Sequence, residues 1–269
     1  MAMKAESEPL IEHFRLVRDH SIKFPYFINK DLEIVLIGTG IGKKNIRPRI
    51  NHLSKIFESQ TLQYINIGTA GGAEKNTTIG QIYLINNIID ENSGSKFYPD
   101  ILVKHNLDEG SIVTVDNPIT SGKNNYQCLV DMESSEIFKV CTKKTFLHNL
   151  AFLKVVSDHM DSSTSSLDYD TVYNLISSKI NQIDTFIDQF MEVRKLNIPI
   201  LNNYDLDWIN SVKKTLSITQ TQKYQLTLKV KKYKLKYPEM PIPDFKIHTP
   251  KSKEERNKTF LRICGKLAA

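Results

Sequence analysis

Short β-branched apolar runs alternate with amphipathic stretches along most of this chain. Glu33–Ile37, Gln63–Ile67, Gln81–Ile89, Ile112–Val115, Tyr126–Val130 and Ala151–Val156 read as strands, with glycine turns or helical patterns between them. From Tyr169 to Leu196, the residues Val172, Leu175, Ile176, Ile180, Ile183, Phe186, Ile187, Phe190 and Met191 recur at helical spacing. This predicts one long amphipathic helix covering a sheet. Pro9 to Asp19 reads as an earlier helix, and the few residues ahead of it leave no room for a strand. Such alternation is the pattern of an α/β fold.

After Pro199 the pattern changes to short helical pieces with many lysines, followed by the stiff extended segment Pro238-Glu-Met-Pro-Ile-Pro243. A boundary near Asn203 divides a main domain, residues 1–203, from a C-terminal extension, residues 204–269. Charge sharpens this division. Residues 205–269 hold fifteen Lys/Arg against six Asp/Glu, a local +9, leaving −3 of the total +6 for residues 1–204. A solvated lysine-rich surface is the better reading of the extension than a grip on nucleic acid. Its apolar residues Tyr204, Trp208, Ile209, Leu216, Tyr224, Leu226, Leu228 and Tyr233 predict that it packs partly on the main domain.

At 269 residues and 40% hydrophobic content the chain can bury one good-sized core. The three cysteines, Cys128, Cys141 and Cys264, are odd in number and lack C-x-x-C spacing, so neither a disulfide framework nor a zinc site is expected. No signal pattern stands at the start, and runs such as Ile34 to Ile37 are far shorter than a membrane span. The expectation is a soluble cytoplasmic protein without membrane contact.

Four short clusters carry the candidate chemistry. Gly38-Thr-Gly40-Ile-Gly42-Lys43-Lys44 lies between a strand and a helix, where backbone N–H groups can receive an anion or a sugar. It is not a Walker A loop, which would need Gly at 37 and Ser or Thr at 44, where Ile37 and Lys44 stand. Nor is it a dinucleotide fingerprint, whose third Gly would fall on Lys43. Asn66-Ile-Gly68-Thr69-Ala-Gly71-Gly72 follows a second strand. Asp131-Met132-Glu133 and Val155-Val156-Ser157-Asp158 each end a strand with carboxylates. Read singly, the glycine clusters are equally tight turns and the acidic ones equally helix caps.

Taken in order, Ala2-Met-Lys-Ala-Glu6, Gly38-Thr-Gly-Ile-Gly42, Gly68-Thr-Ala-Gly-Gly72, Asp131-Met-Glu133 and Ser157-Asp158 resemble the nucleoside phosphorylase and nucleosidase superfamily. The resemblance is strongest to methylthioadenosine/S-adenosylhomocysteine nucleosidases and covers about residues 2–195. It implies a three-layer α/β/α sandwich with a mixed, phosphorylase-like central sheet, here followed by the basic C-terminal extension. It also implies hydrolysis of the N-glycosidic bond of a purine nucleoside or thionucleoside, without cofactor or metal, in an enzyme that forms homo-oligomers.

By the same resemblance Asp158 is the general acid, positioned by Ser157, and Glu6 orients the attacking water. Glu133 holds the ribose hydroxyls and Met132 packs on the sugar. Thr69 and Lys154 occupy positions that help hold the water or stabilise the site, and Ala70, Gly71 and Ile119 complete the substrate-binding set. Lys154 stands where arginine is usual, which keeps the charge and loses the fork geometry. The chain departs from the pattern in three places: the strand that delivers the N-terminal Glu is short, Pro118 stands where an aromatic often stacks on the base, and the Ile119 to Tyr126 connection is short. Phosphorolysis on the same scaffold, and a catalytically inactive nucleoside-binding protein, are the alternatives these departures leave open.

Overall fold

The computed structural model describes residues 1–57, 62–122, 125–196, 200–237 and 240–267, in two units, Met1–Asn197 and Ile198–Ala269. The first unit runs α1 (Lys4–His13), β1 (Val17–Arg18), β2 (Tyr26–Asn29), β3 (Ile34–Ile37), α2 (Ile46–Ile56), β4 (Tyr64–Gly71), β5 (Ile82–Asp90), β6 (Lys96–Phe97), β7 (Asp108–Thr114), β8 (Leu129–Asp131), α3 (Ser134–Cys141), β9 (Leu150–Asp158), α4 (Tyr169–Ser177) and α5 (Ile180–Leu196). The second contains α6 (Asn203–Leu216), α7 (Gln220–Lys236) and α8 (Lys253–Lys266).

Every residue of β9 is buried, and its alternation feeds two cores. Ala151, Leu153 and Val155 join Leu10 of α1 and Phe14 just after it, Ile176 of α4 and Ile183, Phe186 and Phe190 of α5. Leu150, Phe152 and Val156 join Ile46 and Ile50 of α2 and Ile137, Phe138 and Val140 of α3. The mixed α/β sheet is therefore clad by helices through both sets of side chains. Its strand order is β6-β5-β7-β8-β4-β9, with β4–β9, β5–β7 and β7–β8 parallel. A further antiparallel pairing, Ile82 to Val155 through Leu84 to Leu153, joins β5 to β9. The sheet is mixed and clad by helices as expected, but the five strands β5, β7, β8, β4 and β9 close into a barrel-like sheet where a three-layer sandwich was expected. Closure pairs strand edges that the linear pattern leaves open.

Three sequence expectations shift in the structure. The first helix begins at Lys4, because Glu6 Oε2 reaches back to accept from Ala2 N at 3.0 Å and Met3 N at 2.9 Å and so fixes the first turn. It ends at His13, and Arg15 at φ +49° turns the chain into β1. The long helix is two, broken at Ser178–Lys179, where the Ser178 hydroxyl donates back to Leu175 O at 2.8 Å. The second glycine cluster is no turn: β4 continues through Gly71. A Cβ on Gly68 would stand 2.8 Å from Glu6 Oε1 and one on Gly71 2.6 Å from Met160 Cγ, so these glycines admit close neighbours.

The strand β3 pairs with β2 in a separate antiparallel sheet, β1-β2-β3. Met1 N donates to Ile37 O at 3.1 Å and Met1 O accepts from Thr39 N at 2.7 Å, so one residue makes the contact expected of a strand ahead of α1. A cavity of about 560 Å³ lies between Val35–Ile37 and Tyr64–Ile67, lined also by Leu10, Phe14 and Phe190.

In the second unit Leu201, Ile209, Val212, Leu216, Leu226, Val230, Phe245, Phe260 and Ile263 form a core of their own, with Trp208 and Tyr233 against it. Tyr204, Tyr224 and Leu228 are exposed within this unit. Asn202, Thr219 and Ser252 cap α6, α7 and α8 through their side chains. Of the segment expected to be stiff and extended, Pro238 and Glu239 lie outside the described residues, and 240–250 carries no regular element. Among the described residues no helix is long and apolar enough to cross a membrane.

Candidate active site

The carboxyl ends of the parallel strands β4 and β9 bring the candidate residues together. Glu6, Glu133 and Asp158 are all buried, at 2%, 7% and 4% exposure, and each is held by donors of the fold. Glu6 Oε1 accepts from Thr69 N at 2.8 Å and Thr69 Oγ1 at 3.0 Å. With Ala2 and Met3 on Oε2, the carboxylate has all four of its acceptor sites filled. A water can therefore reach Glu6 only by displacing a donor or through the Thr69 hydroxyl, whose oxygen retains acceptor capacity.

Glu133 is the N-cap of α3, and its Oε1 accepts from Gly42 N at 2.6 Å. Gly40 and Gly42 take φ of +75° and +77°, so the first glycine loop is a tight turn whose N–H points at a carboxylate of the protein itself. Burial raises the pKa of Glu133, opposed by Lys154 and reinforced by Asp131, and the net direction is upward.

Asp158 ends β9. Its Oδ2 lies 2.7 Å from the Ser157 hydroxyl, and its Oδ1 accepts from Met160 N at 2.8 Å and Thr164 Oγ1 at 2.6 Å. Thr69 and Gly71, two residues apart and roughly 7 Å along one face of β4, contact Glu6 and approach Asp158 respectively. Ala70 is buried between them, with its carbonyl 3.3 Å from Ser157 Oγ. Ile119 and Met132 pack against the apolar cluster that contains Met160, Val113, Val115 and Val130, and so provide an apolar wall beside these carboxylates. Gly42, where a Cβ would meet Met132 Cε at 4.0 Å, brings the first loop to that wall.

Lys154 touches neither Glu6 nor Glu133 within bonding distance; its partner is Asp131, at 2.9 Å, with both side chains almost fully buried. Burial alone would lower the Lys154 pKa, but Asp131, Glu133 and Glu6 outweigh it and hold the ammonium above its ordinary value. Asp131 also accepts from Thr114 Oγ1, Ser134 N and Ser134 Oγ. Asp131 belongs to the Asp131-Met132-Glu133 motif, and its pairing with Lys154 is made across the fold. Its adjacency to Glu133 was the available signal.

A second network surrounds Asp90. Asp90, at the end of β5, accepts from Lys139 Nζ at 2.8 Å, Ser135 Oγ at 2.7 Å and Ser93 N and Oγ, with Lys43 Nζ at 3.7 Å. Burial opposes ionisation, yet these donors prevail and its pKa is lowered. A carboxylate with a depressed folded pKa adds stability that is fully present above its ordinary value of 3.8 and is lost as pH falls through the lowered one. Asp90→Asn should therefore cost about 2 kcal/mol near neutrality. Thermal midpoints of variant and parent at pH 6 and pH 3 check this: the gap should narrow at the lower pH, and an equal gap at both sinks the assignment.

Lys43 also meets Asp116 Oδ1 at 2.6 Å, and Arg47 meets Glu136 at 3.0 Å. Asn66 is buried and faces Ser134 Oγ at 3.4 Å. Of the four cations that follow the first glycine loop, Lys43 and Arg47 are thus committed to carboxylates, Lys44 is exposed, and Arg49 donates to the carbonyl of Gly38.

No protein-family model matches the sequence, and no curated protein does. Solved structures match its fold. A 5′-methylthioadenosine/S-adenosylhomocysteine nucleosidase from S. pneumoniae gives a TM-score of 0.58 at 16% identity, covering 70% of this chain and 96% of that one. A futalosine hydrolase mutant from Helicobacter pylori gives 0.55 at 16%, covering 70% and 96%. A 5′-methylthioadenosine/S-adenosylhomocysteine nucleosidase from Helicobacter pylori gives 0.54 at 17%, covering 70% and 95%. The fold of this chain is that of these nucleosidases and of futalosine hydrolase.

Proposed function

We propose that the chain hydrolyses the N-glycosidic bond of a purine nucleoside or thionucleoside, of the methylthioadenosine type, to free base and free sugar. The observation that carries this reading is the convergence of three buried carboxylates, Glu6, Glu133 and Asp158, around the ends of β4, β8 and β9. Each is suited to a different part of the reaction.

Breaking the C1′–N bond sends its electron pair to the departing base and leaves positive charge on the ribose. Asp158 supplies a proton to the base nitrogen as that pair arrives. The buried anions of Glu6 and Glu133 stabilise the sugar cation. Water adds to C1′, and the proton it loses passes through the Thr69 hydroxyl to Glu6. Glu133 Oε2, without a hydrogen-bond partner among the described residues, accepts from the ribose hydroxyls. Met132 and Ile119 cover the apolar side of the substrate. The same residue types at these positions in the resembling family support these roles.

Hydrolysis is favoured over phosphorolysis by the cations. A phosphorylase needs a binding site for a dianion, and bidentate arginine suits it best. Asn66 is uncharged, Lys43 and Arg47 are held by Asp116 and Glu136, and Arg49 is turned onto the carbonyl of Gly38. Purified protein incubated with methylthioadenosine, S-adenosylhomocysteine, adenosine and inosine should release base at a rate independent of added phosphate, with a free pentose or thiopentose as the other product. Base release that requires phosphate and yields a sugar 1-phosphate overturns the assignment. Base release from none of them favours a nucleoside-binding protein without turnover.

A further inference from the structure

Met160 takes a left-handed backbone conformation, φ +59°, that a residue with a long side chain rarely adopts. The turn aims Met160 N–H at Asp158 Oδ1 and lays the side chain over Gly71. Beyond it the 3-10 turn Ser162–Ser166 brings Thr164 Oγ1 to 2.6 Å from the same oxygen. Thr164 N bonds to Asp161 O at 3.1 Å and Gly122 N to Met160 O at 3.0 Å, so the turn is tied at two further points.

These contacts divide the two oxygens of Asp158. Oδ1 receives an N–H and an O–H, which fill both of its lone pairs. Among the described residues Oδ2 receives only the Ser157 hydroxyl, and that hydroxyl has an alternative acceptor in Ala70 O at 3.3 Å. One hydroxyl proton serves one acceptor at a time. When Ser157 turns to Ala70, Oδ2 has both lone pairs open, and a proton bound to Asp158 sits there.

We infer that Thr164 is a positioning residue: it occupies Oδ1 and so commits Asp158 to deliver its proton from Oδ2. The inference rests on the nucleosidase reading above. In the step itself the O–H bond on Oδ2 breaks, a base N–H bond forms with the glycosidic electron pair, and Asp158 is left as a carboxylate that solvent reprotonates. Thr164 undergoes no net change. Its hydroxyl holds the carboxylate plane so that Oδ2 meets the leaving nitrogen.

The test uses the full chain, Thr164→Val and Thr164→Ser, with methylthioadenosine and 4-nitrophenyl β-D-riboside as substrates. The nitrophenolate leaves as a stable anion and needs no proton from the protein. Thr164→Val should lose about tenfold in kcat on the nucleoside, the worth of one hydrogen bond to the carboxyl as it gives up its proton. KM should stay within about twofold and nitrophenyl riboside cleavage should stay close to the parent's. Thr164→Ser, which keeps the hydroxyl, should restore nucleoside turnover. The inference is overturned if Thr164→Val leaves nucleoside kcat unchanged, loses equally on both substrates, or is not rescued by serine. A parent chain that cleaves neither substrate overturns the nucleosidase reading itself, and the inference with it.

Discussion

Asp158→Asn is expected to stay folded and to lose turnover by about a hundred- to ten-thousand-fold, the usual contribution of a positioned general acid. The substitution is nearly isosteric. An asparagine carbonyl at the Oδ1 position still accepts from Met160 N and Thr164 Oγ1, so the turn after β9 keeps its fastening. What the amide lacks is a proton it can release to a departing purine. Comparing base release and thermal midpoint in parent and variant separates the two roles of this side chain. If turnover stays near the parent's while the midpoint falls, Asp158 only fastens the turn. If turnover collapses with the midpoint held, it is the acid. Nitrophenyl riboside adds an internal control, since loss of the acid alone should spare a leaving group that needs no proton.

The extent to which such a site is legible in sequence depends on how local its causes are. Asp158 and Glu133 sit at strand ends, where a run of apolar residues stops at a carboxylate, and that pattern is visible along the chain. Glu6 is visible only through the ordered resemblance. Its delivery from the first turn of a helix follows from its own bonds to Ala2 and Met3 and from a glycine at 68 that leaves it space. The short strands β1, β2 and β6 lack the length for a readable period, and they form because tertiary pairing holds them. The barrel closure between β5 and β9 is a property of edges, which alternation does not encode. Thr164 and Asp90 act through contacts made across turns or between elements, and nothing in their immediate neighbours marks them.

The buried charge balance of the site leads to the largest expected effect on stability. Lys154→Met should cost about 3–5 kcal/mol, because it leaves a buried carboxylate uncompensated. Lys154 is the cation paired with Asp131 in the interior, and the fields of Glu133 and Glu6 fall on the same ammonium. With it gone, Asp131 keeps its donors from Thr114 and Ser134 but loses its counter-charge. At the 2–4 °C per kcal/mol typical of chains of about 200 residues, the thermal midpoint should fall by roughly 10 °C. Adding Asp131→Asn should recover most of it, since an amide accepts and donates in that place without charge. The pH dependence has a definite sign. In the parent, the raised pKa of Lys154 means its contribution is fully present below its ordinary value of 10.5 and is lost only as pH rises through the raised one. In Lys154→Met the opposition to burial at Glu133 disappears, so a pKa already above its ordinary 4.5 climbs further. A carboxylate raised in the folded state lends stability below its ordinary value and loses it as pH rises through the folded one. The deficit of Lys154→Met should therefore be larger near pH 7.5 than near pH 5, and should be small at both in the double variant. Midpoints of the three proteins at the two pH values decide the matter. A single variant within about 1 kcal/mol of the parent, or a double variant no more stable than the single, would show that Lys154 does not carry the charge balance of this site.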